Sequence, residues 1–203
     1  HISDFLFAPT EVCKKNLTNE GINLNRIFVT GNTVVDSIFY IKDIAKNTSK
    51  ILDSLKLDSS KFSILTLHRP SNVDDKIKLN KILKNLDLLC DEFSTKIIFP
   101  IHPRTKKNLE IFGLSIPKNI IAVPPLGYLD FVQLQNNSQV IFTDSGSIQE
   151  EACIIGIPCI TIRDNTERPE SIEVQANTLT KSDFQSIKQA FKKQIQISTN
   201  WKN

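Results

Sequence analysis

Short apolar runs alternate with amphipathic stretches along the whole chain. Runs of strand length lie at Phe5–Phe7, Ile27–Val29, Phe62–Leu67, Lys96–Ile101, Ile120–Val123, Gln139–Thr143 and Cys159–Ile162. Several are apolar at both odd and even positions, which suits strands covered on both faces of a parallel sheet. Helical spacing fills the gaps. Thr10 is a natural N-cap for a helix that ends at Gly21, and residues 33–45 form a second. In residues 75–92, Ile77, Ile82, Leu83, Leu86 and Leu89 fall near one face, with Asp74 or Asp75 placed to cap. Further helices are predicted near 103–112, 127–135, 146–155 and 182–195. The Asn- and Lys-rich stretch 46–61 reads as a helix plus a loop. No internal repeat or low-complexity segment interrupts the pattern.

This alternation implies right-handed crossovers and an α/β fold: a Rossmann-like open parallel sheet with helices on both faces. Such sheets bind ligands outside the carboxyl ends of their strands. The residues just after each strand are therefore the candidates for chemistry. One run ends in His68-Arg69-Pro70-Ser71-Asn72 and another in His102-Pro103-Arg104-Thr105. Every histidine except His1 lies at one of these two strand ends. Against two solvated loops, that repetition favours a shared anionic ligand.

A third run leads into Asp144-Ser145-Gly146-Ser147, with Glu150 and Glu151 further along the same helix. Glycine lets backbone approach a ligand closely, and the first N–H groups of a helix favour phosphate. A carboxylate at Glu151 can accept both hydroxyls of a ribose. The bland alternative is a Ser-capped helix with two surface glutamates, and Asp-Ser-Gly alone does not decide between them. On the ligand reading, Glu151 and Arg168 point to the same side as His68. Glu151 is also expected to be exposed, so that Glu151→Ala leaves folding nearly intact. The last run leads into the charged and amide-rich segment Arg163–Glu170, where Arg168 is placed to meet a phosphate or a facing domain.

Composition narrows the function classes. Hydrophobic residues at 40% and charged residues at 23% are ordinary globular usage, which excludes a disordered tail or a disulfide-dense mini-protein. At 203 residues the chain fits one large domain or two small ones. Its net charge of 25 − 22 = +3 is too weak to argue for nucleic acid. No apolar run approaches the roughly 20 residues of a membrane span. The four cysteines form no C-x-x-C pair and read as reduced core thiols of a cytoplasmic protein, with no metal site. No signal region follows His1, and the chain has no Met, so it reads as processed or as an excerpt.

Seven stretches occurring in family order across residues 1–170 carry a resemblance. They are Phe7-Ala8-Pro9-Thr10-Glu11, Thr30-Gly31-Asn32-Thr33-Val34-Val35-Asp36, His68-Arg69 with Asn72, Pro100-Ile101-His102, Pro125-Leu126 with Tyr128, Asp144-Ser145-Gly146 with Gln149-Glu150-Glu151, and Arg163-Asp164 with Thr166-Glu167-Arg168-Pro169-Glu170. Together they resemble the carboxyl-terminal domain of the non-hydrolysing UDP-N-acetylglucosamine 2-epimerases. That family has a glycosyltransferase-B-type fold, two Rossmann-like domains with the active site in the cleft between them. The resemblance implies that residues 1–203 are the second domain alone, with the amino-terminal partner domain and a final helix outside the chain.

The implied reaction inverts C2 of UDP-GlcNAc to give UDP-ManNAc, in cell-surface polysaccharide precursor synthesis. UDP is eliminated to a 2-acetamidoglucal and added back after reprotonation, with no cofactor. The acid/base carboxylates belong to the missing domain, so the isolated chain is expected to be inactive. By resemblance, His68 and Arg168 face the diphosphate and assist cleavage. Ser145, Gly146, Glu151, Phe131 and Arg69 bind substrate, and His102 matches a residue of a regulatory UDP-GlcNAc site. The full-length protein is expected to bind a UDP-sugar and to form a homodimer. Departures occur at Ser71, where the family carries Glu, and at Ser147, Gln175 and Lys181, where it carries Gly. Two other readings remain open: the equivalent domain of a glycosyltransferase or hydrolysing epimerase, and a solitary, non-catalytic nucleotide-sugar-binding domain.

Overall fold

The computed structural model describes residues 2–57 and 62–197. The chain runs through β1 (Leu6–Ala8), α1 (Glu11–Asn19), β2 (Ile27–Val29), α2 (Thr33–Thr48) and α3 (Ile51–Ser54). Then come β3 (Phe62–Thr66), α4 (Pro70–Val73), α5 (Lys76–Phe93), β4 (Lys96–Pro100), α6 (Pro103–Phe112), β5 (Ile120–Val123) and α7 (Tyr128–Asn137). The last part holds β6 (Ile141–Thr143), α8 (Gly146–Ile155), β7 (Cys159–Ile162), α9 (Pro169–Glu173), β8 (Asn177–Thr180) and α10 (Phe184–Gln194).

Six strands form one parallel sheet in the order β5-β4-β3-β6-β7-β8. This is the doubly wound order, and it reverses between β3 and β6. Odd and even positions of the central strands go to opposite layers. Leu65, Ile97, Phe99, Phe142 and Ile160 pack with residues of α5 and α10, such as Leu86 and Phe191. Ile64, Ile98, Ile141 and Cys159 pack the other way, with Leu134 of α7 and Ala152 of α8. Two covered faces are the physical reason that these runs are apolar on both parities.

Caps follow local chemistry. Asp75, not Asp74, caps α5, accepting the Lys78 N–H at 3.0 Å. Asp74 instead pairs with Arg104 of α6.

Three features differ from the sequence expectation. The runs near Phe5 and Ile27 do not join the main sheet but pair with each other as a separate two-stranded parallel sheet. An apolar run records that a strand forms, not which sheet it joins. β8 was not expected, because Asn177-Thr178-Leu179-Thr180 carries one apolar residue and borders the sheet at one edge. The short helices α4 and α9 lie where loops were expected. Both begin at a proline, whose fixed φ suits a first helical position. Part of the stretch expected as helix plus loop, residues 58–61, lies outside the described residues.

Candidate functional site

The strand order reverses where the loops after β3 and β6 lie side by side, and a cavity of about 220 Å³ opens there. His68, His102, Phe131, Ser145 and Ile148 are among its walls. β3 delivers His68, β4 delivers His102, α7 supplies Phe131, and α8 begins at the cavity. The Ser145 side chain makes no capping hydrogen bond. Its hydroxyl and the first N–H groups of α8 form an anion-accepting corner.

The His68 loop is fastened from below by Asp144, which is fully buried. The Asp144 carboxylate accepts the backbone N–H groups of His68 at 3.1 Å and Arg69 at 3.0 Å. It also accepts the Asn72 amide at 3.3 Å, and His68 Nδ1 lies 3.1 Å from Asp144 Oδ1. Asn72 is buried too, and its second bond goes to the Ile162 carbonyl. The His68 and His102 rings are 5.5 Å apart, centroid to centroid. His102 caps α6, its Nδ1 accepting the Arg104 N–H at 3.2 Å.

Glu151 is not on the surface. It is 8% exposed, contrary to the sequence expectation, because it turns toward α7. Gln135 Nε2 donates to its carboxylate at 2.9 Å, and the Tyr128 hydroxyl approaches at 3.5 Å. Burial raises its carboxyl above the usual range, and the bonds from Gln135 and Tyr128 only partly offset this. Glu151→Ala would therefore strip a buried partner from Gln135, and the expectation that it leaves folding intact is corrected.

Arg168 and Arg69 sit apart from the His68 cavity. Arg168 Nε lies 3.0 Å from Glu150 Oε1, within a second cavity of about 210 Å³ that Thr10, Asn32, Cys13 and Cys153 also line. Burial raises the Glu150 carboxyl, and the charge of Arg168 partly offsets this. The two cavities use different faces of α8, Ser145 and Ile148 for one and Glu150, Cys153 and Ile154 for the other. His68 and Arg168 both follow the carboxyl ends of strands, β3 and β7, but they line different cavities. Arg69 lines a third, polar groove with Ser71, Lys78 and Arg163, and its Nη2 donates to Glu167 Oε1 at 3.0 Å.

Sequence reasoning missed what Glu167 does. It bridges Arg69 and Arg163, the latter at 2.6 Å, and lies directly over Gly146. A Cβ on Gly146 would stand 2.5 Å from Glu167 Oε1. The close approach at Gly146 is therefore to the far end of a flexible side chain of the same chain, which could shift to admit a Cβ. The sequence shows Asp144 only as part of a motif. The signal available was its place at a strand end beside the reversal point. Among the described residues, no three His, Cys, Asp or Glu side chains gather as a metal site would require.

The fold and its switch-point cavity define a Rossmann-like domain of the glycosyltransferase-B type. Residues 1–203 match the family model described as UDP-N-acetylglucosamine 2-epimerase, and the chain belongs to that family. It is 46% identical to the UDP-N-acetylglucosamine 2-epimerase of Methanocaldococcus jannaschii, covering 100% of this chain and 57% of that protein. The crystal structure of the M. jannaschii UDP-GlcNAc 2-epimerase in complex with UDP-GlcNAc and UDP matches all of this chain and 57% of its own, at 44% identity and a TM-score of 0.93. The Neisseria meningitidis UDP-GlcNAc 2-epimerase bound to UDP-GlcNAc matches 98% of this chain and 58% of its own, at 31% identity and a TM-score of 0.82. The chain thus spans less than two thirds of the length of these relatives.

Proposed function

We propose that this chain is the UDP-binding half of an isomerase that interconverts UDP-GlcNAc and UDP-ManNAc by eliminating and re-adding UDP, in cell-surface polysaccharide precursor synthesis. The observation that carries this reading is the cavity at the switch point, where His68, Phe131 and Ser145 surround the start of α8. The structures of relatives holding UDP and UDP-GlcNAc support the ligand class.

In this reading Ser145 and the first N–H groups of α8 receive phosphate, and Phe131 borders the nucleotide. Their positive field stabilises the charge that grows on the departing diphosphate. His68 faces the same diphosphate, Glu151 accepts the ribose hydroxyls, and His102 belongs to a regulatory subsite. Arg69 and Arg168 reach the phosphates only by leaving Glu167 and Glu150, so they act on the occupied rather than the empty site.

A facing amino-terminal domain supplies the acid/base carboxylates for C2, and this chain alone is inactive. The exposed aromatic side of β1 and β2 suits contact with that domain. Phe5, Phe7 and Phe28 are 59%, 70% and 45% exposed, and an isolated two-stranded sheet is marginal in water. The whole protein is a homodimer in the same reading. A cytoplasmic location fits the four free cysteines and a nucleotide-sugar substrate. Among the described residues no helix is long and apolar enough to cross a membrane.

The test is proton NMR of UDP-GlcNAc incubated with this chain, and with this chain joined to a family amino-terminal domain. UDP-ManNAc should form only with the joined protein. Enzymic turnover by the short chain would contradict the division of labour, and a folded joined protein without turnover would contradict the activity.

A further inference from the structure

Three N–H groups other than the His68 ring point at the two oxygens of Asp144. The His68 backbone N–H is shared between Oδ1 and Oδ2, both at 3.1 Å. The Arg69 backbone N–H and the Asn72 amide both go to Oδ2, at 3.0 and 3.3 Å. A hydroxyl on either oxygen would compete with these donors, so the group acts as an acceptor throughout. It is also immovable, since it is fully buried and its own N–H is bonded to the Thr66 carbonyl at 3.2 Å.

His68 Nδ1 stands 3.1 Å from Oδ1 of this fixed acceptor. Two bare lone pairs at that distance repel, so the ring hydrogen belongs on Nδ1. The opposite ring nitrogen, Nε2, is then the one turned toward the cavity that His68 lines. Its neighbour His102 is fixed the other way. Its Nδ1 accepts the Arg104 N–H, so its hydrogen sits on Nε2. The two rings, 5.5 Å apart, present unlike atoms to one cavity: a donor from His102, and from His68 a nitrogen able to take up or hold a proton.

We propose that Asp144 is a positioning residue that fixes which ring nitrogen His68 presents to the ligand. The buried carboxylate, pinned by the His68, Arg69 and Asn72 N–H groups, selects the Nδ1–H tautomer and leaves Nε2 for the ligand. The tautomer assignment stands on this chain alone. Only its consequence for a diphosphate rests on the nucleotide reading above.

Asp144→Asn makes the sharpest variant. Arg69 and Asn72 both donate to Oδ2, so the amide oxygen must take that position. The amide NH₂ then occupies the Oδ1 position and faces His68 Nδ1. A donor there favours a bare Nδ1 and drives the hydrogen to Nε2, the fault known for the Asp→Asn change in serine-protease triads.

The experiment is long-range ¹H–¹⁵N correlation of the imidazole nitrogens near pH 8, where ordinary imidazoles are neutral. In the parent chain His68 should show its hydrogen on Nδ1 and His102 on Nε2. In Asp144→Asn, His68 should switch to Nε2–H while His102 stays as it is. The variant's Nε2–H can donate to a phosphate directly, whereas the parent's Nε2 must first take up a proton, so UDP should bind the variant no more weakly than the parent at this pH. A merely structural Asp144 would lower the melting temperature without moving the ring hydrogen. A parent His68 with its hydrogen on Nε2 overturns the proposal, and so does a folded variant with an unchanged tautomer. Should the variant not fold, the parent spectrum alone decides. If the parent binds no UDP, the nucleotide reading fails, while the tautomer result still supports or overturns the role of Asp144.

Discussion

On the proposed reading, Glu151 sets stability against binding. Its carboxyl is held above the ordinary range chiefly by burial, so the folded state favours the protonated form. Stability from this group is fully present below the unfolded value of about 4.3 and is lost as pH rises through the higher folded value. Glu151→Gln keeps an acceptor for Gln135 and removes the buried charge. The variant should exceed the parent in stability at pH 7 by on the order of 1 kcal/mol, with the difference closing toward pH 4. Thermal melts across that range check it. Equal or lower stability at pH 7 would mean that the bonds from Gln135 and Tyr128 outweigh the burial. Gln175 makes the opposite kind of case. Its φ of +62 lies in the left-handed region, at one of the positions where the sequence resemblance leads to glycine. Gln175→Gly relieves a cost of about 1–2 kcal/mol and adds about 0.5–1 kcal/mol of unfolded-state entropy. A net gain of roughly 0.5–1 kcal/mol should follow in denaturant melts, and a net loss would show that the side chain compensates the strain.

Among the elements, the central strands and the isolated pair should differ sharply in protection. Ile64, Leu65, Ile141 and Phe142 sit in fully buried strands with neighbours on both sides. Leu6–Ala8 pairs only with Ile27–Val29, and most of these residues are exposed or half-buried. Native-state amide exchange should therefore be at least about a hundredfold faster in β1 and β2 than in β3 and β6. Comparable protection would contradict the view that this pair lacks its natural covering. The central strands were legible because two-sided burial places apolar residues at both odd and even positions. β8 was not, because its buried Asn177 and Thr180 are satisfied by polar chemistry rather than by apolar packing. Asn177, for instance, donates to Gln149 Oε1 at 3.0 Å. Among the candidate residues, His68 and Ser145 were legible from motifs that follow strands, whereas Phe131 came only from the family resemblance. The separation of Arg168 was not legible, since it depends on which face of α8 Glu150 occupies. The bridging by Glu167 was hidden for a similar reason. It pairs with Arg69 and lies over Gly146, both distant from it in sequence.

At the scale of the molecule, the proposed reading makes this chain half of a cleft, which can hold a nucleotide only from one side. The ligand would keep one face in water, and fewer contacts would offset the cost of association. UDP should therefore bind this chain with a dissociation constant of roughly 0.1–1 mM. Titration of the ¹⁵N-labelled chain with UDP, followed amide by amide, measures the affinity and the location together. The expected result is weak saturable binding, with the largest shifts at Ser145–Ile148, His68 and Phe131. No saturable shift at millimolar UDP would contradict the nucleotide reading, and so would shifts centred on Cys13, Asn32 and Cys153 in the other cavity of α8.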